Sequence, residues 1–375
     1  MCFKVKTIFF PVMGFTFARC VARTLALLLA LVEGADISLA APLTSSEQTL
    51  LEQSSAAAWE ARRHYRDIAV DTVGTGETRA YVFRPEARSL SGLPLVLFMH
   101  GWRGTNPKNF GGLIDLLVRG GAVVIYPIYQ TEGEKTSPQK ITGNAAQGIR
   151  EAIDKLQQSH PQLIDEGKTL YWGFSIGASI ATNFAIRNTE LRVPAPRAMV
   201  LVAPGDAYHV AHGAESAPTV AQLELIPATL PVFLVSGAAD TSIGVPTARA
   251  WAARLCHLPR SHRTLLMLPS HSDRGQKISS GHGSPGAPDN RFDFPEWTAT
   301  VPTRIAGRDG FERSGSLNVL DFYGYWRITM AMLDYAAGGA YPTALFTPKS
   351  PENSFLGVWP SGKPYAAAVE EEACN

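Results

Sequence analysis

Apolar runs alternate with amphipathic stretches along most of the chain. Leu93–Met99 (LPLVLFM) is continuously apolar and leads into His100-Gly101, the pattern of a strand buried on both faces. Thr78–Arg84 (TRAYVFR) reads as an earlier strand. Ala122–Tyr126, Thr169–Phe174, Ala198–Ala203, Pro231–Val235 and Thr264–Leu268 read as further buried strands. Between them, Asn109–Gly120 places Leu113, Leu116 and Leu117 on one side, and Asn144–Gln158 places Ile149, Ile153 and Leu156 on a single helical face. Helices are also expected at Ser175–Arg187, Val245–Leu255 and Leu317–Ala336. Strands alternating with helices of this length require crossovers, and right-handed crossovers build a parallel sheet covered on both sides. The expected class is therefore α/β, a doubly wound and mostly parallel sheet.

Two stretches break the rhythm. Residues 205–228 and 271–315 carry Gly, Pro, His and charged residues without clear periodicity, as insertions would. Each follows the carboxyl end of an expected strand, where open α/β sheets bind ligands. No internal repeat is visible.

Composition narrows the picture. An apolar fraction of 45% supplies a sizeable core, and excludes disorder for the chain as a whole. Lys plus Arg number 34 against 33 acidic residues, which gives no basic excess for nucleic acid and no polybasic patch for anionic lipid. Residues 1–40 read as a signal peptide: Lys4, Lys6, Arg19 and Arg23, then the apolar run Leu25–Val32, then small residues at Ser38-Leu39-Ala40. The run is too short for the ~20 residues of a membrane span. The expectation is a secreted or periplasmic protein, one domain over 41–375, with no stable span after cleavage. Cys256 and Cys374 then remain, and an oxidising compartment permits them to pair and tie down the tail.

The candidate chemistry lies at one turn. Gly173-Phe174-Ser175-Ile176-Gly177 joins an expected strand to an expected helix. G-x-S-x-G is a weak signal alone and a strong one in that setting, because a nucleophile elbow needs strand, sharp turn and helix. Glycines two positions either side of Ser175 remove Cβ atoms that would meet the neighbouring strand and helix. Ser175 is thus the candidate nucleophile, with the Ile176 N–H as the first oxyanion donor. His100-Gly101-Trp102 follows the strand Leu93–Met99, and the glycine permits close approach of the Trp102 N–H as the second donor. His100 is read as a structural residue that holds this loop. The acid is expected after a later strand, and Asp240 in Ser236-Gly237-Ala238-Ala239-Asp240 fits, with Asp206 one strand earlier as its competitor. Four histidines follow Asp240. His257 and His262 precede the last strand, at the wrong end of the sheet. His271 has the shortest route to the site, and His282 lies deeper in a glycine-rich loop, so both remain candidate bases.

Residues 93–360 resemble bacterial secreted or lipid-associated α/β-hydrolases of the dienelactone-hydrolase and poly(hydroxyalkanoate)-depolymerase neighbourhood. The likeness rests on His100-Gly101-Trp102, Val124-Ile125-Tyr126-Pro127-Ile128-Tyr129-Gln130, the elbow, Leu320-Asp321-Phe322-Tyr323-Gly324-Tyr325-Trp326 and Gly357-Val358-Trp359. In that group the loop after the last strand resembles Ser272-Asp273…Gly275, followed by a histidine with proline three residues on. His282 and Pro285 match this spacing, which ranks His282 above His271. The chain departs from the pattern in lacking a histidine immediately before Gly275. The resemblance implies hydrolysis of a small-molecule or polymeric carboxylic ester by a Ser-His-Asp triad, without metal or organic cofactor. A serine peptidase or amidase on the same fold is the alternative enzyme, and an inactive α/β-hydrolase-fold binding protein is the alternative outside catalysis.

Overall fold

The computed structural model describes residues 43–130, 138–205, 222–294 and 315–374. The expected leader over 1–40 and the competing carboxylate Asp206 lie outside the described residues. From Leu43 onward the chain forms one compact unit, and among the described residues nine strands share one sheet in the order β1-β2-β4-β3-β5-β6-β7-β8-β11. These are β1 (Ile68–Val73), β2 (Ala80–Pro85), β3 (Leu93–Met99), β4 (Val123–Pro127), β5 (Ile164–Phe174), β6 (Pro196–Val202), β7 (Val232–Gly237), β8 (Arg263–Leu268) and β11 (Val369–Glu370). From β4 to β8 every neighbouring pair is parallel. β1, β2 and β11 pair antiparallel at the two edges. The fold is mixed α/β with a large, mostly parallel sheet flanked by helices, as the alternating pattern requires.

Side chains of successive residues leave opposite faces of a strand, so each apolar run feeds two cores at once. Val96 and Phe98 of β3, Trp172 of β5 and Val200 of β6 enter one cluster with α3 (Gly111–Arg119) and α7 (Trp326–Ala336). Leu95, Leu97, Tyr171 and Met199 enter the other, with α4 (Pro138–Ser159), α5 (Ile176–Leu191) and α6 (Gly244–Arg254). Phe98 and Trp172 stack with ring centroids 4.1 Å apart in the middle of the first cluster. Each such side chain, fully buried, contributes about 1.5–3 kcal/mol or more over leaving it in water. The chain runs from β3 outward to β4, then returns to place β5 on the other side of β3. That reversal opens a crevice at the carboxyl ends of β3 and β5, where His100 and Ser175 sit.

The structure departs from the sequence expectations in four places. β1 precedes the first expected strand; it lies at the sheet edge with Val70 40% exposed, so it lacks a two-faced apolar run. α1 (Ser45–Gln53) and α2 (Ala56–Ala61) were also not expected. Thr44 and Glu47 close α1 with a reciprocal capping box, and the pair of helices contributes only Leu50 and Trp59 to the buried core. The helix expected over Leu317–Ala336 starts at Val319, passes through a π-helical turn, Asp321–Tyr325, and is α-helical again from Trp326. Finally, the stretch from residue 271 is not a structureless insertion as far as it is described. His271–Asp273 (β9) and Gln276–Ile278 (β10) form a hairpin. Residues 279–294 then pack against the loop before α3, with Ala287 N–H on Asn109 O at 2.9 Å and Gly112 N–H on Ala287 O at 2.8 Å. Its glycines and prolines mask this order, because the segment is held by backbone hydrogen bonds rather than by an apolar stripe.

The C-terminal segment crosses back over β8. Val369 and Glu370 pair with Met267 and Leu266, Arg260 holds Glu370 and Glu372, and Cys256 is disulfide-bonded to Cys374 across 118 positions. The pairing that the sequence left open is therefore formed. A cross-link over so long a loop acts mainly by restricting the unfolded chain. Replacing both cysteines by serine should lower the unfolding free energy by about 2–5 kcal/mol in a denaturant titration. An unchanged midpoint and slope would mean that the neighbouring ion pairs hold the tail without the bond.

Candidate active site

β5 ends at Phe174 and α5 begins at Ile176, so a single residue makes the turn. Ser175 takes φ 55° and ψ −124°, a conformation that L-residues rarely adopt and that costs on the order of 1–3 kcal/mol. It is held there from both sides. Ser175 N–H donates to Val202 O of the adjacent strand at 3.0 Å, and Ser175 O accepts from Ala178 N–H at 2.9 Å. The flanking glycines act as the sequence suggested. A Cβ on Gly173 would lie 2.6 Å from Gly177 O, and one on Gly177 would collide with the carbonyls of Met99 and His100.

Three side chains meet above this turn. His282 Nε2 lies 3.0 Å from Ser175 Oγ, and His282 Nδ1 lies 2.6 Å from Asp240 Oδ2. The same carboxylate oxygen accepts from Gly244 N–H at 2.9 Å, at the start of α6. Asp240 is buried, with its side chain 3% exposed, while the His282 side chain keeps 26% of its surface open. The imidazole also rests against the Phe174 ring at 4.9 Å between centroids. A carboxylate excluded from water and holding one imidazole nitrogen leaves the other nitrogen aimed at the hydroxyl, which is the arrangement a general base requires.

The loops that carry the acid and the base are tied to each other. Ser280 Oγ accepts from Ala239 N–H at 3.3 Å, and Ser270 Oγ accepts from Ser280 N–H at 2.9 Å. Gly237 lies so close to Ser280 O that no side chain fits between them. Gly205 similarly faces the serine: a Cβ there would lie 2.7 Å from Ser175 Oγ. Sequence reasoning did not single out Gly205, Gly244 or Ser280. The position of Gly205 directly after the β6 run, and of Gly244 four residues after Asp240, were the available signals.

His271, the alternative base, is not part of this group. Its Nδ1 accepts from Trp359 Nε1–H and from Ala366 N–H, each at 3.0 Å, so the ring anchors the C-terminal segment to the β9–β10 hairpin. The short route from β8 leads into the hairpin, and the chain reaches the serine only after it. His257 bonds Ile226 O and His262 sits beside Ser261, both away from the elbow.

His100 is fully buried beneath the site. Its ring stacks on Tyr129 at 4.1 Å, Nδ1 lies 2.6 Å from Gly101 O, and Tyr129 Oη–H donates to His100 O. Burial lowers its pKa from 6.5 to about 3 against the opposing backbone hydrogen bonds. It stays neutral and holds the loop. Gly101, next along, brings its backbone against the nucleophile, since a Cβ there would lie 2.8 Å from Phe174 Cε1 and 3.3 Å from Ser175 Cβ. Trp102 follows, partly buried against the α4–α5 side of the core. Ile176 is the first residue of α5, where helix N–H groups have no intrahelical acceptor.

No protein-family model matches this chain, and a search of curated proteins returns no match. Among the described residues no cluster of His, Cys, Asp and Glu is arranged to hold a metal ion.

Two outcomes follow. If the chain cleaves esters at this site, His282→Ala should lower kcat by several orders of magnitude, and His271→Ala by no more than about tenfold through a loosened C-terminal segment. Steady-state kinetics on variants of matched thermal stability would decide, and the reverse ranking would move the base to His271. His100 adds a pH dependence. Above pH 6.5 it is neutral in both folded and unfolded chains, whereas between pH 6.5 and about 3 only the unfolded chain binds the proton. Folding stability should therefore fall through that window on acidification. His100→Gln should flatten this part of the curve, as read from urea midpoints against pH.

Proposed function

We propose that this chain is a serine hydrolase with an α/β-hydrolase fold, cleaving carboxylic esters through an acyl-enzyme. The observation that carries the reading is the unbroken line from Ser175 Oγ through the His282 imidazole to the Asp240 carboxylate, set on a strained strand–helix turn. His282 Nε2 takes the hydroxyl proton as Ser175 Oγ attacks the ester carbonyl. Asp240 fixes the tautomer with Nδ1 protonated and stabilises the imidazolium that forms. The negative oxygen of the tetrahedral intermediate is received by the N–H groups of Ile176 and Trp102, the former at the positive end of α5. His282 then returns its proton to the leaving alcohol, and a water repeats the sequence to release the acid.

No metal or organic cofactor is needed for these steps. The substrate is a small or polymeric ester, cleaved outside the cytoplasm after removal of the leader; the Cys256–Cys374 bond suits an oxidising compartment. Among the described residues no helix is long and apolar enough to cross a membrane. An inactive binding protein would place no demand on the rare backbone conformation of Ser175 or on a base within reach of it.

Ser175→Ala should leave the far-ultraviolet spectrum and thermal transition intact and reduce kcat on p-nitrophenyl esters by up to ~10⁶. It should also abolish labelling by a fluorophosphonate probe. Residual turnover within about tenfold of wild type would remove Ser175 from the nucleophile role. Faster cleavage of matched anilides than of esters would favour the amidase reading.

A further inference from the structure

The turn that carries His282 is tied on one side through Ser280 and on the other through a buried hydroxyl. Residues 281–286 are two successive tight turns, with Ser284 N–H on Gly281 O and Gly286 N–H on Gly283 O, each at 3.0 Å. Pro285 is buried in these turns, and so is the polar Ser284, which is fully buried and shares a hydrogen bond of 2.7 Å with the Tyr325 hydroxyl. Tyr325 is the last residue of the π-helical turn Asp321–Tyr325 and is 1% exposed.

Tyr325 is held at its backbone as well. Tyr325 O accepts from Thr329 Oγ1–H at 2.7 Å, and Thr329 Oγ1 accepts from Trp172 Nε1–H at 3.1 Å. Trp172 lies on β5, three residues before Ser175. The chain of contacts thus starts on the strand that presents the nucleophile and ends two residues from the imidazole. The π turn has a reason here. It widens one turn of helix by a residue, and such turns recur where a side chain must be re-aimed at a site. Asp321 anchors its beginning, Oδ2 accepting from Asn318 N–H at 2.8 Å. Burial pushes the Tyr325 hydroxyl up from its ordinary value against the lowering effect of its hydrogen bond with Ser284, so it keeps its proton.

We infer that Tyr325, acting through Ser284, is a positioning residue that holds the His282 imidazole in line between Asp240 and Ser175. The inference rests on the hydrolase reading for its kinetic consequence, but its structural content concerns the His282–Asp240 bond alone. Losing the hydroxyl frees the turn at Ser284 and lets the imidazole swing, and a displacement of about an ångström at a reacting group is enough to cost 10²-fold in rate.

The test compares wild type, Tyr325→Phe, Ser284→Ala and the double variant. Tyr325→Phe removes one oxygen and keeps the ring in its slot, while the double variant leaves neither hydroxyl stranded without its partner. Each single variant should lower kcat about tenfold or more with KM within about twofold, and the double should be no worse than the worse single. The second readout is the low-field proton resonance of His282 Nδ1–H in its bond to Asp240. It should be sharp in wild type and in Ser175→Ala, and broadened or lost in Tyr325→Phe and Ser284→Ala. Wild-type kcat with an unchanged resonance in Tyr325→Phe would overturn the inference, as would a rise in KM with that resonance intact. A wild-type protein without esterase activity would sink the hydrolase reading, and the resonance would still decide for or against Tyr325.

Discussion

The candidate site depends on one backbone conformation, that of Ser175. A non-glycine residue at φ 55° and ψ −124° is strained by on the order of 1–3 kcal/mol, and nothing local to the residue relieves it. The strain is offset by its surroundings. β5 runs through the middle of the sheet with Tyr171 and Trp172 fully buried on opposite faces, and α5 carries ten consecutive buried residues from Ile176 to Ala185. Neither element can shift without opening a core. The turn between them is therefore over-determined, and the Ser175 hydroxyl is presented at the sheet edge whatever its own preference. Gly101, Gly177 and Gly205 follow from the same constraint, because the strands on either side must approach closely enough to leave no room for a Cβ.

Such a turn fixes only Ser175. Asp240 and His282 arrive on loops, and loops have no periodic apolar face with which to define their path. The structure supplies that definition by direct hydrogen bonds between them. Gly237 abuts Ser280, Ser280 receives the Ala239 N–H, and the segment after His282 is zipped to residues 108–112 beside the His100 loop. Lys108 and Asn106 both hold Asp293, and Arg291 reaches the buried Asp115 carboxylate that Arg63 and Arg119 also hold. The loop with His282 is thereby fastened to the loop that follows β3.

What was legible in the sequence follows the same division. Strands buried on both faces announce themselves as apolar runs, so β3 was legible with its limits and β4, β6, β7 and β8 within about two residues, whereas β5 starts at Ile164, ahead of its apolar run from Thr169. The elbow was legible because its glycines and serine sit at fixed spacing between two strong elements. Edge elements were not, since β1 and α1 bury one side at most and α1 is closed by polar caps. The order in residues 279–294 was invisible for a related reason: backbone-to-backbone bonds leave no mark on side-chain composition. His282 and His271 could be ranked by spacing, but not by route. The hairpin that carries the chain past the serine is made by three-residue strands too short for any pattern to reveal.

Three histidines lie on or near this edge of the sheet, and their different surroundings assign their work. His100 is stripped of water, stacked on Tyr129 and without a carboxylate partner, so proton uptake is suppressed and the ring serves as packing. The Nδ1 of His271 is occupied by two N–H donors from the C-terminal segment, which uses up the acceptor that a base would need and leaves the proton on Nε2. His282 alone has a buried carboxylate on one nitrogen and a hydroxyl on the other, with a quarter of its side chain open to solvent. A base must cycle its proton, and of the three only this ring has both a counter-charge to stabilise the imidazolium and a path for the proton to leave. Identical side chains are thus divided into spacer, anchor and proposed base by what each nitrogen touches.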